Sequence, residues 1–420
     1  MSRERDPLRV FIVNQFLHWF IVGISFPVLI LILLEKGIDL FGAGTIMACY
    51  SATTIILELP TGGLADTIGR KKTYLISTCF ALCAAVALLI SWDLVTGALA
   101  LIIYGVARAL SSGSMDAWFV DEYKKAHGEE GLQKALAKAG VFLPLAIAAG
   151  SLLGGALPMF FGALQVGDTG PYSFNILLMI ALLFVQLIVT AIIVREAPCP
   201  VGGRAFSLEK LKEVFAVSAR HGLHNRITLV LLLSMAALGF GVMSIELLWQ
   251  PRVQEISGAT DTWVLGLLAA AYFLASAMGS LAATRLSDRT SQVWTMAALR
   301  LATGIIFIFF ALQTQLFGFA LFYVVLYFVA SVGDSPHAAL YNAQAPSEVR
   351  ATLLSLQSLV IQLGALVGSL VLGFVASNAS ISVAWIVGGA VVCASCLCYV
   401  YLGGLMRRRG HTKDQGSHSQ

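Results

Sequence analysis

Charge is what this sequence lacks: only 12% of its 420 residues are Asp, Glu, Lys or Arg, against 58% hydrophobic ones. Soluble domains carry about twice that share of charge, so water-soluble classes are excluded and the chain is read as a membrane protein. The alternation of barrel strands, over about 10 residues each, is also missing. Helices remain, because they satisfy every backbone group in hydrocarbon from within the segment. No Gly-Lys-Ser/Thr ends a glycine-rich loop, which removes a Walker-type nucleotide site and ATP-driven pumping. No nucleophile and base stand at workable spacing, so an enzyme is not expected. Cys393, Cys396 and Cys398 have a metal-like spacing, but no histidine or acid accompanies them in their apolar run, and they read as buried thiols. The first apolar run is too long for a signal peptide and no small-residue cleavage site follows it, so it is expected to stay.

What is present is a series of twelve apolar runs, each near the length of about 20 residues that a helix needs to cross a bilayer. Six lie between residues 9 and 194 and six between 226 and 404, on either side of a polar stretch. The expected organisation is a six-helix bundle over 1–198, a linker over 199–225, a second bundle over 226–406 and a tail over 407–420. Within the linker, Leu208, Leu211, Val214 and Phe215 recur at helical spacing among Glu209, Lys210, Lys212 and Glu213, which suits an amphipathic helix on the membrane surface. Lysine and arginine set the orientation. Arg3, Arg5, Arg9, Arg70, Lys71, Lys72, Lys124, Lys125 and Arg407 to Arg409 fall on one side, whereas the other side's loops hold only Lys36 and Arg252. Both termini are therefore expected in the cytoplasm, with the chain in the cytoplasmic membrane.

The densest charge lies in "GGLADTIGRKK", residues 62–72, between the second and third runs. Three adjacent cations suit a topology anchor, but they leave Gly62, Gly63, Asp66 and Gly69 unexplained. The pattern Gly62-x-Leu64-Ala65-Asp66-x-x-Gly69-Arg70-Lys71-Lys72 resembles the loop motif of the major facilitator superfamily, at the same place between spans two and three; it departs at Thr67, where that family usually carries a cation. The resemblance implies a twelve-helix, all-α transporter of two pseudo-symmetric bundles. It also implies that Asp66 and Arg70 form a latch, with an acid at the inner end of span four as partner: Asp121 first, Asp116 second. Internal repetition agrees, since Gly279-Ser280-Leu281-Ala282 repeats residues 62–65 and Ser331-x-Gly333 echoes Ser111-x-Gly113. The second copy lacks the acid and the cation run.

Ionisable groups inside apolar runs cost roughly 2.5–3.5 kcal/mol each at mid-helix and normally face a cavity or partner. Arg108 resembles the arginine that opens the superfamily's span-four motif. Ser112 and Asp116 follow it at steps of four, which would place all three on one helix face. Glu246, Asp116 and Glu58, in that order, are candidate proton carriers, because a carboxylate kept from water can bind and release a proton near neutral pH. Span one offers Asn14, Gln15, His18 and Ser25 on a polar face and no acid, although many proton-coupled drug exporters of the family have one there. His18 is either a titrating group or a fixed hydrogen-bonding one. Arg300 is either a cavity cation or one reaching back to the surface, and Asp334 and His337 are assigned to the second half's gate. Trp19, Phe26, Trp118, Phe119, Tyr272 and Phe273 would suit an amphipathic solute, whereas Trp92 and Trp249 read as interfacial anchors. Span five contains Gly140 and Gly150-x-x-x-Gly154-Gly155 but no Gly-Pro pair, so the antiporter motif is only partial.

The expectation is a secondary transporter that resembles the drug:proton antiporters and exports a small organic compound. Proton-coupled uptake of a nutrient, or a receptor without transport, are the alternatives. The cavity would be lined by Asn14, Gln15, His18, Arg108, Ser112, Glu246 and Arg300. Its partners would be the solute, protons and lipid, with no cofactor, metal or nucleic acid, and the chain would act as a monomer.

Overall fold

The computed structural model describes residues 6–196, 225–258, 262–285, 289–344 and 350–417. The amphipathic helix expected within 199–225 lies outside them. Among the described residues every regular element is helical, and twelve segments are long and apolar enough to cross a membrane. Spans one to six are Pro7–Glu35, Leu40–Glu58, Arg70–Ile90, Leu94–His127, Leu132–Phe161 and Gly170–Ile193. Spans seven to twelve are Arg226–Ser257, Thr262–Ala283, Gln292–Ala311, Leu316–Asn342, Ser355–Asn378 and Ile381–Arg407. The chain gathers into two compact units, Met1–Leu211 with Leu247–Leu274, and Lys212–Glu246 with Ala275–Gln420. The division thus also runs through spans seven and eight.

In the first unit, span one packs most extensively on span five. A methyl group on Gly150 would collide with the Phe20 carbonyl, and one on Gly154 with the Ile24 carbonyl. Hydrogen in place of a side chain lets the two backbones touch, the packing mode that works where lipid offers no hydrophobic drive. The second unit repeats the device at the same spacing. Gly364 and Gly368 of span eleven rest on the carbonyls of Ala236 and Phe240 in span seven. Span five also meets span eight within the first unit, through Gly155 and Gly266, whose backbones would not admit a side chain between them.

Breaks in the helices are matched by polar side chains. Span one consists of helices Pro7–Ser25 and Leu29–Glu35, interrupted around Pro27, which has no N–H to donate. Pro158 likewise leaves the Gly154 carbonyl without its helical donor. One amide serves both places: Asn175 Nδ2 donates to Ile24 O at 3.2 Å and to Gly154 O at 2.7 Å. Span four stops at Ser111 and resumes at Ser114, with Gly113 at φ +70° between them. There Thr61 Oγ1 donates to Ala109 O at 2.9 Å and Ser114 Oγ to Leu110 O at 2.7 Å. Freed carbonyls inside a bilayer need such donors.

Far from the terminal side, Lys36 is only 8% exposed and donates to Ser91 O at 2.6 Å. Burial pushes its ammonium below the usual lysine range, against a smaller opposing pull from Asp168.

Gly150→Ala is expected to cost about 1–3 kcal/mol by overpacking. Gly140→Ala, on the same helix but with nothing within 4 Å of its added methyl, is expected to gain about 0.5–1 kcal/mol. Thermal unfolding of the purified variants in detergent separates the two, and equal shifts would contradict the backbone contact.

Candidate functional site

Each unit carries its own set of ionisable groups. In the first unit, the helix Leu40–Ile68 ends at Gly69, whose φ of +101° allows the chain to turn directly into Arg70–Ile90. Arg70 Nη1 pairs with Asp121 Oδ2 at 2.5 Å. The side chain of Asp66 lies outside the described residues. Lys71 Nζ donates to Ala191 O at 2.8 Å, at the end of span six. Glu196, just beyond that span, accepts from Arg70 N at 2.8 Å and from Lys71 N at 2.9 Å. Nothing in the sequence singled out Glu196, because a carboxylate following an apolar run has no pattern of its own.

Arg108 is exposed near the end of helix Leu94–Ser111. The even spacing to Ser112 and Asp116 does not form one continuous face as expected from sequence. Gly113 takes a left-handed conformation, and Asp116 starts a separate helix, Ser114–His127. The Arg108 charge still reaches Asp116, which is also exposed, and His18 of span one. Glu58 and Gln15 are half-buried. His18 lies 6.0 Å from Tyr74 and 5.4 Å from Trp19, ring centre to ring centre.

Asn14 is placed differently from the rest of the polar face of span one. It is wholly buried and donates to Thr190 Oγ1 at 2.7 Å, while Gln186 Nε2 donates to Asn14 O at 3.2 Å and Tyr74 OH at 3.1 Å. These bonds tie spans one, three and six together. Gln186 and Thr190, spaced by four in the mostly apolar span six, are a signal of this network readable in the sequence and absent from the residues expected at the site. A cavity beside it, lined by His18, Ser77, Thr78, Tyr104 and Gln186 among others, measures about 30 Å³. Ligand pockets run to roughly 300–1,000 Å³, so this void does not take an organic solute.

Phe26 stacks 6.1 Å from Trp249 and 5.9 Å from Tyr272, and lies 5.1 Å from Phe273. Trp249 is fully buried in this group rather than anchored at the interface, whereas Trp92 is 63% exposed. Gln250 Nε2 donates to Phe26 O at 3.2 Å and Gln254 Nε2 to Tyr172 OH at 2.9 Å. The far ends of spans seven and eight are therefore built into the first unit.

In the second unit, Glu246 is half-buried in helix Arg226–Ser257 and makes no hydrogen bond or ion pair among the described residues. Arg300 is 3% exposed, with Nη2 3.3 Å from Met235 Sδ. Its charge reaches Asp334 and His337. His337 is buried, with Nδ1 2.7 Å from Tyr399 OH.

The family model described as Major Facilitator Superfamily matches residues 11–265 and 256–418. The fold is similar to that of the nucleoside transporter NupG, at TM-score 0.78 and 12% identity over 94% of this chain and 98% of that one. It is also similar to a bacterial homologue of the human lysosomal transporter Spinster in an inward-facing, unoccupied conformation, at TM-score 0.72 and 14% identity over 95% of each chain. A structure from work on proton-dependent oligopeptide transporters matches at TM-score 0.70 and 12% identity, over 96% of this chain and 99% of that one. No curated protein matches the sequence.

The Arg70–Asp121 pair is half open to solvent, with side-chain exposures of 23% and 53%. Asp121→Asn should therefore cost under about 1 kcal/mol. Asn14→Leu, which removes the buried amide donor to Thr190 Oγ1, should cost about 1–3 kcal/mol. Thermal unfolding ranks the two, and a larger loss for Asp121→Asn would mean that the pair is a stability element.

Proposed function

The chain belongs to the major facilitator superfamily, and from that premise we propose that it exports a small organic compound in exchange for protons, by alternating access. The moving halves are assigned to residues 1–198 and 226–406, with residues 247–274 of the second half packing into the first unit in this conformation, joined by a cytoplasmic link over 199–225 and followed by a cytoplasmic tail from 407. The protein acts as a monomer in the cytoplasmic membrane with both termini inside. Glu246 carries this reading: a carboxylate half-buried in an apolar helix, without a cation or hydrogen-bond partner among the described residues. A group so costly inside a span is normally kept to bind an ion or a substrate.

Protonation of Glu246 or Asp116 biases the halves toward one opening. Arg108 tunes the proton affinity of Asp116 and His18, both of which lie within reach of its charge. Arg70, Asp121 and Asp66 latch the terminal side, and Glu58 stands by the same gate. Gln15, His18, Arg108, Ser112 and Glu246 face the solute, while Asn14 and Arg300 act from inside their bundles. Uptake in symport with protons is the second reading, favoured by the absence of a Gly-Pro pair from span five.

Purified protein in liposomes loaded with a pH-sensitive dye, challenged with lipophilic cations, antibiotics and small metabolites, tests this. Substrate-dependent proton movement is expected, falling to background in Glu246→Gln or Asp116→Asn at equal protein level. Its sign chooses antiport or symport. Solute flux without proton movement would sink proton coupling and make these carboxylates structural.

A further inference from the structure

The segment that leaves span six touches Arg70 and the helix that carries its partner Asp121. Helix Arg70–Ile90 begins at a residue that cannot cap it, since Gly69 has no side chain. Its first N–H groups would ordinarily be satisfied by a serine, threonine or aspartate at that place. Here the acceptor comes from far along the chain. Both Glu196 oxygens are engaged, one on Arg70 N at 2.8 Å and the other on Lys71 N at 2.9 Å. The carboxylate also sits at the positive end of the helix dipole. A methyl group on Gly69 would lie 2.9 Å from Glu196 Oε2. The motif glycine therefore both makes the turn and admits the carboxylate.

The helix that carries the opposite partner is tied to the same segment. Asp121 lies on helix Ser114–His127, three residues after Trp118 and on the same face. Trp118 is 4% exposed and its Nε1 donates to Arg195 O at 2.9 Å. Lys71 Nζ on Ala191 O adds a third tie at the end of span six. Residues 191–196 thus grip the backbone beneath Arg70 and the helix that carries Asp121.

We propose that Glu196 is a positioning residue of this latch, fixing the backbone at Arg70 so that its guanidinium meets Asp121, and thereby tying the chain that leaves span six to the charged loop. The proposal rests on the latch reading for its functional meaning and on the first unit's geometry for its substance. Movement of the loop and movement of the segment leading into 199–225 are then one event.

The test uses the full chain in lipid nanodiscs, where both faces are open to protease, and reads tryptic cleavage after Arg70, Lys71 and Lys72. Cleavage requires local opening, and its rate follows the open population. Glu196→Ala and Glu196→Gln are both expected to speed it on the order of tenfold, because the amide cannot accept on both atoms. Glu196→Asp, which keeps two acceptor oxygens, should restore most of the protection. Asp121→Asn should add nothing on top of Glu196→Ala. Full rescue by Gln, or rates that multiply when Asp121→Asn is added, would overturn the proposal, since Glu196 would then pack the helix end without setting Arg70. If the variants behave as expected but transport in dye-loaded liposomes is unchanged, the positioning role stands and the latch reading falls.

Discussion

A backbone carbonyl or N–H without a partner costs several kcal/mol in hydrocarbon, and much of this structure answers to that one constraint. It makes the spans helical. It also decides where the few buried polar side chains go, because each interruption of a helix creates groups that must be met. Asn175 serves the two carbonyls freed near Pro27 and Pro158. Thr61 and Ser114 serve those at the break in span four. Small polar residues that look like a functional ladder in "SSGSMD" are therefore partly structural. They allow span four to bend so that Arg108 and Asp116 stand on separate helices and still share a field.

Glycine contributes in a different way, through contact rather than hydrogen bonding. Gly150 and Gly154 of span five against span one, and Gly364 and Gly368 of span eleven against span seven, bring backbones together at the same spacing in the two units. This is the duplication seen in three dimensions, and it is clearer than in the amino-acid sequence, where residues 279–282 keep three residues of the charged motif and the second copy loses its acid and cations. Packing geometry survives divergence because any side chain at these sites collides with a backbone that cannot yield. Surface charges face no such veto.

The charged loop shows how a short motif acquires a neighbourhood. Its arginine and first lysine bond to Glu196, Asp121 and Ala191, which lie in span four and in or just beyond span six. Exposure keeps the ion pair weak.

The sequence by itself determined the class of the molecule, its twelve helices, its duplication and the location of its charged loop. These follow from the length and continuity of apolar runs, which the bilayer thickness imposes along the chain and which need no knowledge of neighbours. The acid facing Arg70 was narrowed to Asp121 or Asp116 through family resemblance, and the structure sets Asp121 against it. Tertiary structure alone decided that Asn14 turns inward to Thr190, that Trp249 is buried against Phe26, that span four breaks at Gly113, and that Glu196 caps a helix more than a hundred residues before it. Each of these is a contact between distant segments, and helical periodicity assigns a residue to a face without saying what that face will meet.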